Sequence, residues 1–463
     1  MTHDTSIVTS GAAVAWPSFR GAFAQAITIL KGDGERARTQ RDAVTAFGVR
    51  CGSAGLLYVS QIVLARWMGG YEYGIYVFVW TWVLVLGGLS DLGLGVTSMR
   101  LIPHYRETGD SAHLRGFLRG ARGVALGVGT LIAAVGIAAL WLFEPLESHY
   151  MLPAYLALVC VPLYALTGVQ DGIGKGFAWM GVALMPPYIL RPALLLLAMV
   201  AAHFVGLPME AKTAAGAAVI AIWATGIFQT LLVDHRLKGV VEPGERRYSF
   251  AAWIFAAAPL LAIAASELTL QSADVLIVSR YMTPTDVAIY FAAAKTMSLI
   301  MFVHYAVGSA VANRFAALGA RGDKESLRAF VRDAVHWTFW PSLAAAIALL
   351  ILGLPLLWLF GPQFVAGYPV MLILVVGFLF RSSMGPAEFL LNMLGEQRLC
   401  AAVLVTTAVL NVALNFALVP AFGLLGAATA TSVSLVTAAL MNYLVVSWRL
   451  DIDIAVWRNL GKR

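Results

Sequence analysis

Twelve stretches of the chain are each long and apolar enough to cross the hydrocarbon of a bilayer, which takes about 20 residues of helix. Their approximate limits are 44–66, 74–99, 122–143, 151–170, 178–202, 213–233, 252–279, 287–312, 335–360, 366–391, 399–419 and 424–447. Turns punctuated by polar residues, Gly or Pro, such as GYEYG, EPLESHY, GPQF and PAFG, separate them. Backbone amides in hydrocarbon have to be satisfied inside the segment, so the runs predict helices and an all-α polytopic membrane protein. Only 12% of the residues are charged, about half the share a soluble chain carries. A water-soluble enzyme is thereby excluded. Three cysteines, Cys51, Cys160 and Cys400, lie singly in apolar runs, a pattern of neither a disulfide framework nor a zinc site.

The placement of the cations predicts orientation. Of the 32 Lys and Arg, 25 fall on the side that holds the N-terminus, and three, Arg66, Lys212 and Arg280, fall on the other. The remaining four, Arg50, Arg191, Lys295 and Arg381, lie within spans. Positive loops stay in the cytoplasm, so both termini are expected there. The net charge of +7 then reads as a topology signal, with no nucleic acid implied. Residues 1–40 have no defensible cleavage site and read as a cytoplasmic leader, and 449–463 as a cytoplasmic tail.

An internal duplication is visible. RWMGGYEYGIY from Arg66 and RYMTPTDVAIY from Arg280 share Arg, Met, Ile and Tyr at an offset of 214, with Glu72 facing Asp286. GDSAHLRGFLR from Gly109 and GDKESLRAFVR from Gly322 match at an offset of 213. Each pair falls in the same topological slot, which predicts two lobes of six spans, 41–235 and 251–448, joined by a basic linker at 236–250. Six is even, so the lobes are parallel repeats about an axis along the membrane normal, enclosing a central cleft.

LARWMGGYEYGIYVFVW with SDLGLGVTSMRLIPHY, and FAAAPLLAIAASELTLQSADVLIVSRYMTPTDVAIYFAAAK, together resemble the polysaccharide flippases of the multidrug and oligosaccharidyl-lipid/polysaccharide exporter superfamily. The matching positions are Gly74 to Tyr76, Asp91 to Gly95, Pro259, Asp274 and Tyr290, and the likeness extends over about residues 41–448. The resemblance implies a MATE-like fold that moves an undecaprenyl-pyrophosphate-linked oligosaccharide from the inner to the outer leaflet by alternating access. It implies no resident cofactor, with H+ or Na+ coupling left open. The implied partners are the lipid-linked oligosaccharide, membrane lipids, a polysaccharide polymerase and glycosyltransferases.

An ion at the bilayer centre costs about 2.5–3.5 kcal/mol on insertion scales, so ions inside spans are expected to face the cleft or each other. Eight qualify: Arg50, Asp91, Arg191, Glu267, Asp274, Lys295, Arg381 and Glu388. Arg50 and Asp91 fall at similar depth and are expected to pair within the first lobe. Glu267 and Asp274, seven residues apart, share one face of the seventh span, and Lys295 on the antiparallel eighth is expected to pair with Asp274. Glu267 is left near the midplane, either to bind and release a cation or to be neutralised by Arg191 or Arg381. Arg191 and Arg381 put one deep guanidinium in each lobe, an arrangement suited to a pyrophosphate, because Arg offers a planar fork of donors and stays charged. Interhelical bonding is the alternative, favoured at Arg191 by the helix-breaking Pro186, Pro187 and Pro192.

Trp80, Trp82, Tyr290 and Tyr305 are candidate sugar-stacking rings, with packing as the alternative. The Gly48/Gly52, Gly123/Gly127 and Gly168/Gly172 spacings predict close helix contacts. Two other functions compete with a flippase. A cation-coupled drug or metabolite antiporter fits the same scaffold. A membrane polymerase or ligase fits poorly, because the turns on the outer side are short and the chain carries no P-loop or metal-ligand cluster.

Overall fold

The computed structural model describes residues 35–144 and 146–459, with side chains from Gly52 to Arg458. Among the described residues the regular structure is helical throughout. The first lobe comprises α1 (Glu35–Ser90), α2 (Leu94–Glu107), α3 (Ser111–Phe143), α4 (Ser148–Gly176), α5 (Met180–Met185), a π-helical turn at Pro186–Leu190, α6 (Arg191–Phe204) and α7 (Ala211–Lys238). The second comprises α8 (Phe250–Tyr281), α9 (Pro284–Ser298), α10 (Ile300–Arg321), α11 (Lys324–Ile351), α12 (Gly353–Phe360), a 3-10 turn at Pro362–Gly367, α13 (Tyr368–Ser383), α14 (Ala387–Met393) and α15 (Gln397–Leu450), with α16 (Val456–Asn459) closing the chain.

Ten stretches of helix among the described residues are long and apolar enough to cross a membrane. Two of them hold two crossings each, because α1 is broken at Gly69 (φ 73°, ψ 170°) and α15 at Gly423 (φ 57°, ψ −133°). The described residues therefore hold twelve helical stretches of crossing length, and the turns expected as GYEYG and PAFG contract to one non-helical residue. The crossings are less regular than uniform apolar runs suggest. The second is interrupted at Asp91–Gly93, the fifth by the π-helical turn, and the tenth at Met384–Pro386.

The duplicated motifs fold alike. Gly109 and Gly322, at φ 71° and 69°, each end a helix in the left-handed region that favours glycine. The next residue then caps the following helix: Asp110 accepts from the His113 amide at 3.1 Å and Asp323 from the Ser326 amide at 3.0 Å. The Ser326 hydroxyl and amide at Asp323, and the His113 amide and ring at Asp110, hold both carboxyls below their ordinary range. The other repeated motif keeps its break, at Gly69 in one lobe and Met282–Thr283 in the other, but its acids diverge. Asp286 forms a capping box with Thr283, whereas Glu72 accepts from the Ala211 amide at 2.8 Å and so caps α7.

Within the first lobe α4 packs on α1, α2, α3 and α7, and within the second α15 packs on α8, α13 and α14. Of the three glycine pairs, only Gly168/Gly172 makes the expected close approach: a Cβ on Gly172 would lie 1.9 Å from the Gly95 carbonyl oxygen. Gly52, Gly123 and Gly127 face open space, and the Gly48 side lies outside the described side chains. Part of the expected tail is docked, with Ile452, Ile454, Ala455 and Val456 buried in the second lobe.

The lobes meet where α1 packs on α8 and α9 and where α2 packs on α8. At the end opposite the N-terminus the seam is aromatic. Tyr58 meets Phe360 at 5.6 Å between ring centroids, Tyr73 meets Phe364 at 6.1 Å and Phe291 at 6.4 Å, and the Arg66 guanidinium lies 4.6 Å over Trp358. Tyr58 also bonds Thr296 at 2.9 Å. At the N-terminal end the linker is held by Arg247, whose amide donates to the Ala112 carbonyl at 3.0 Å, and by Trp253, which donates to the Tyr105 hydroxyl at 3.0 Å.

Candidate functional site

Asp274, Gln271 and Glu267 fall at successive turns of one face of α8, as the spacing of the two acids predicts, and that face lines a cavity of about 350 Å³ inside the second lobe. Lys295 and Tyr305 enter from α9 and α10, Arg381 from α13, Glu388 from α14, and Asn411 and Thr431 from α15. A space of this size accommodates a compact polar headgroup.

The ions are not paired as their depths suggest. Asp274, 7% exposed, accepts a 2.7 Å bond from the Tyr290 hydroxyl and a 2.8 Å bond from the Val275 amide. The expected Asp274–Lys295 ion pair is absent, because α8 ends at Tyr281 and α9 begins at Pro284. At about 1.5 Å per residue these ends bring Tyr290 level with Asp274 and carry Lys295 about a turn deeper. Lys295 has no ion-pair partner within 4.0 Å among the described residues; its ammonium lies 5.2 Å from the Phe291 ring centroid, and the side chain is exposed to the cavity.

Arg381, the other cation of the cavity, is held by an acid. One guanidinium nitrogen, Nη2, donates to both carboxylate oxygens of Glu388 at 2.7 and 2.8 Å. The break at Gly385 (φ 61°) and Pro386 folds α14 back so that residues seven apart can meet. Glu267 is therefore not neutralised by Arg381 through a direct bond, and it has no hydrogen-bond partner among the described residues. It is exposed to the cavity, as Lys295 is.

The first-lobe candidates lie elsewhere. Arg191 begins α6 directly after the π-helical turn, and its guanidinium carbon stands 5.0 Å over the Tyr164 ring. It is absent from the lining of the second-lobe cavity. Asp91 caps the break in the second crossing, accepting from the Gly93 amide at 2.8 Å and the Gly95 amide at 3.2 Å. The side chain of Arg50, its expected partner, lies outside the described residues. Among the rings, Tyr305 faces the cavity, Trp80 stacks on Tyr76 at 6.0 Å, Tyr290 is fully buried, and Trp82 lines a separate apolar groove.

Sequence reading passed over Gln271, Asn411 and His304. Gln271 was detectable as the residue one turn beyond Glu267. Asn411 and His304 are isolated polar residues in apolar runs, and only the packing gives them neighbours.

A model of a polysaccharide biosynthesis protein matches residues 41–316. The chain belongs to that family. A MatE model matches residues 259–417, which contain most of the cavity. No curated protein matches the chain in sequence. Among solved structures, the chain is similar to an inward-facing multidrug resistance MATE family transporter of the MOP superfamily, with a TM-score of 0.73 and 15% identity over 86% of this chain and 94% of that one. It is similar to the lipid II flippase MurJ in an inward closed conformation, with a TM-score of 0.66 and 14% identity over 87% of each. A MOP superfamily transporter from Pyrococcus furiosus gives a TM-score of 0.63 and 15% identity over 92% of this chain and 98% of that one. At such identities these likenesses establish the fold, that of a MOP-superfamily transporter.

Proposed function

We propose that the protein flips a polyprenyl-pyrophosphate-linked oligosaccharide from the inner to the outer leaflet of the cytoplasmic membrane by alternating access, for surface polysaccharide synthesis. The observation that carries this reading is Lys295, an unpaired ammonium exposed in a membrane-embedded cavity. An ion so placed is costly unless it serves a ligand, and an anionic phosphate is the complementary one. Family membership supports the polysaccharide part, and the similarity to a lipid II flippase supports a lipid-borne cargo. In this reading the pyrophosphate rests on Lys295 and Arg381, the first sugar lies against Tyr305, and the polyprenyl tail stays in lipid. Arg191 guides the headgroup from the first lobe, and Arg50 and Asp91 have structural parts. Glycosyltransferases supply the cargo and a polymerase consumes it. The basic side of the molecule faces the cytoplasm.

A second reading, a cation-coupled drug or metabolite antiporter, draws on one specific observation: Glu267 is as unpaired as Lys295. The same carboxylate serves the first reading as a site for a coupling H+ or Na+, with Asp274 held in reserve by Tyr290.

The test is complementation of a deletion strain. Lys295→Ala should reach the membrane yet leave lipid-linked repeat units on the inner leaflet and abolish surface polysaccharide, while Lys295→Arg should restore much of it. Normal polysaccharide from Lys295→Ala, Arg381→Ala and Arg191→Ala, singly and combined, would sink the flippase site. Drug hypersensitivity of the deletion strain with unchanged polysaccharide would favour the antiporter.

A further inference from the structure

Behind the Arg381–Glu388 pair is a second, much smaller cavity of about 10 Å³, lined by His304, Asn442, Arg381 and Glu388 together with the Gly385 break. That is about the room one water occupies. His304 is 1% exposed, and neither of its ring nitrogens has a hydrogen-bond partner among the described residues. The Asn442 Oδ1 is buried and equally without a partner. A buried imidazole normally has at least one nitrogen satisfied, since a lone buried polar group costs about 1–3 kcal/mol. Here two unsatisfied nitrogens adjoin a carboxylate whose single nitrogen donor, Arg381 Nη2, also lines the larger cavity.

The groups around His304 are few. Arg381 faces it from α13 and Glu388 from α14, Tyr305 follows it on α10, and Phe389 packs on its ring at 6.4 Å. Across the large cavity from Arg381 are Glu267 on α8 and Lys295 on α9. The neighbouring parts of α11 and α15 contribute Val335, Ala439 and Asn442, none of which titrates.

We propose that His304 takes up one proton when an anionic cargo draws Arg381 away, and so replaces the guanidinium as the cation beside Glu388. This rests on the reading that Arg381 receives the phosphate. The charges balance. Before binding, one guanidinium neutralises one carboxylate and the imidazole is neutral. After binding, the guanidinium neutralises a phosphate oxygen, and a solvent proton on the imidazole neutralises Glu388. Without that proton, cargo binding would strand a buried carboxylate, a far costlier state than a buried pair. Histidine suits the task because its ordinary pKa, about 6.5, lets a modest change of surroundings add or remove the proton near neutral pH.

Calorimetry on the full chain in detergent tests this, with farnesyl-pyrophosphoryl-N-acetylglucosamine as probe, a diphosphate diester with no group titrating near neutral pH. The heat of binding, compared between two buffers of different ionisation enthalpy at one pH, gives the protons taken up. Wild type should take up close to one proton per probe, and its affinity should fall by about tenfold per pH unit as pH rises. His304→Gln should bind about tenfold more weakly with no uptake. Glu388→Gln should bind at least as well as wild type, also with no uptake, because no carboxylate then needs a second cation. Uptake persisting in His304→Gln or in Glu388→Gln overturns the proposal and leaves the phosphate site standing. If wild type does not bind the probe at all, the phosphate site falls and the proposal falls with it.

Discussion

The two lobes share one frame and differ in what it carries. At the repeat offset of 214, Glu267, Asp274 and Lys295 of the second lobe correspond to Ser53, Ser60 and Thr81 of the first, all three buried. Tyr290, which bonds Asp274, corresponds to Tyr76, which stacks on Trp80. Where the second lobe has ions around a polar cavity, the first has small hydroxyls, two of which are satisfied by carbonyls of their own helix: Ser60 bonds Leu57 at 2.7 Å and Thr81 bonds Val77 at 2.7 Å. The deep arginines differ likewise, Arg191 resting on a ring and Arg381 on a carboxylate. A duplicated scaffold can therefore keep its helix ends and breaks while only one copy gathers its ions around a cavity.

The strongest way to break this comparison is to strand a charge. Arg381→Leu should lower stability by about 3–5 kcal/mol at alkaline pH, where Glu388 is left without a cation, and by less at lower pH, where His304 takes up the proton that neutralises it, and Arg381→Leu with Glu388→Leu should recover much of the loss without restoring transport. Thermal unfolding in detergent and surface polysaccharide report the two effects separately. Equal losses in the single and double variants would mean that the pair is not what fixes this region. Lys295→Ala separates function from folding. It should leave the unfolding midpoint within about a degree, since Lys295 has no ionic partner, yet lower transport by about tenfold or more, whereas Thr81→Ala at the equivalent first-lobe position should leave transport close to wild type.

Packing distinguishes the glycine pairs. Gly172→Ala, aimed at the Gly95 carbonyl, should cost about 1–3 kcal/mol, and Gly127→Ala, facing open space, should be neutral or slightly stabilising; a reversed order would contradict the helix contacts described here. The smallest effect is where the lobes are alike. The depressed carboxyls of Asp110 and Asp323 contribute stability above the ordinary carboxylate pKa of about 3.9, and lose it as pH falls through their lower folded values. Asp110→Ala and Asp323→Ala should each lower the unfolding midpoint by a similar small amount at neutral pH, and the difference from wild type should vanish in acid.

Much of the fold was legible because bilayer solvation is a strict filter: length and apolarity suffice to mark a crossing, and the duplicated Gly–Asp motif marks the same turn twice. Glu267 and Asp274 were placed on one face because a single helix fixes their relation. Pairings between helices were harder. Depth alone assigns Lys295 to Asp274, but α9 begins at Pro284, three residues before the expected start of the eighth span, which carries Lys295 about a turn past Asp274 and puts Tyr290 in that place. The Arg381–Glu388 bond depends on the Gly385–Pro386 break inside an apolar run, and apolarity says nothing of where a helix folds back. Interhelical geometry of this kind depends on side-chain packing, which no period in the sequence encodes.

The aromatic seam that closes the end opposite the N-terminus has a kinetic meaning. Parting the lobes there separates three ring pairs and one cation–π contact, at about 0.5–1.5 kcal/mol each, together with the Tyr58–Thr296 bond. Since 1.4 kcal/mol is a factor of ten in population, the closed form outweighs the open one by about one to four decades from these contacts alone. These contacts therefore favour the arrangement in which the lobes are closed at that end.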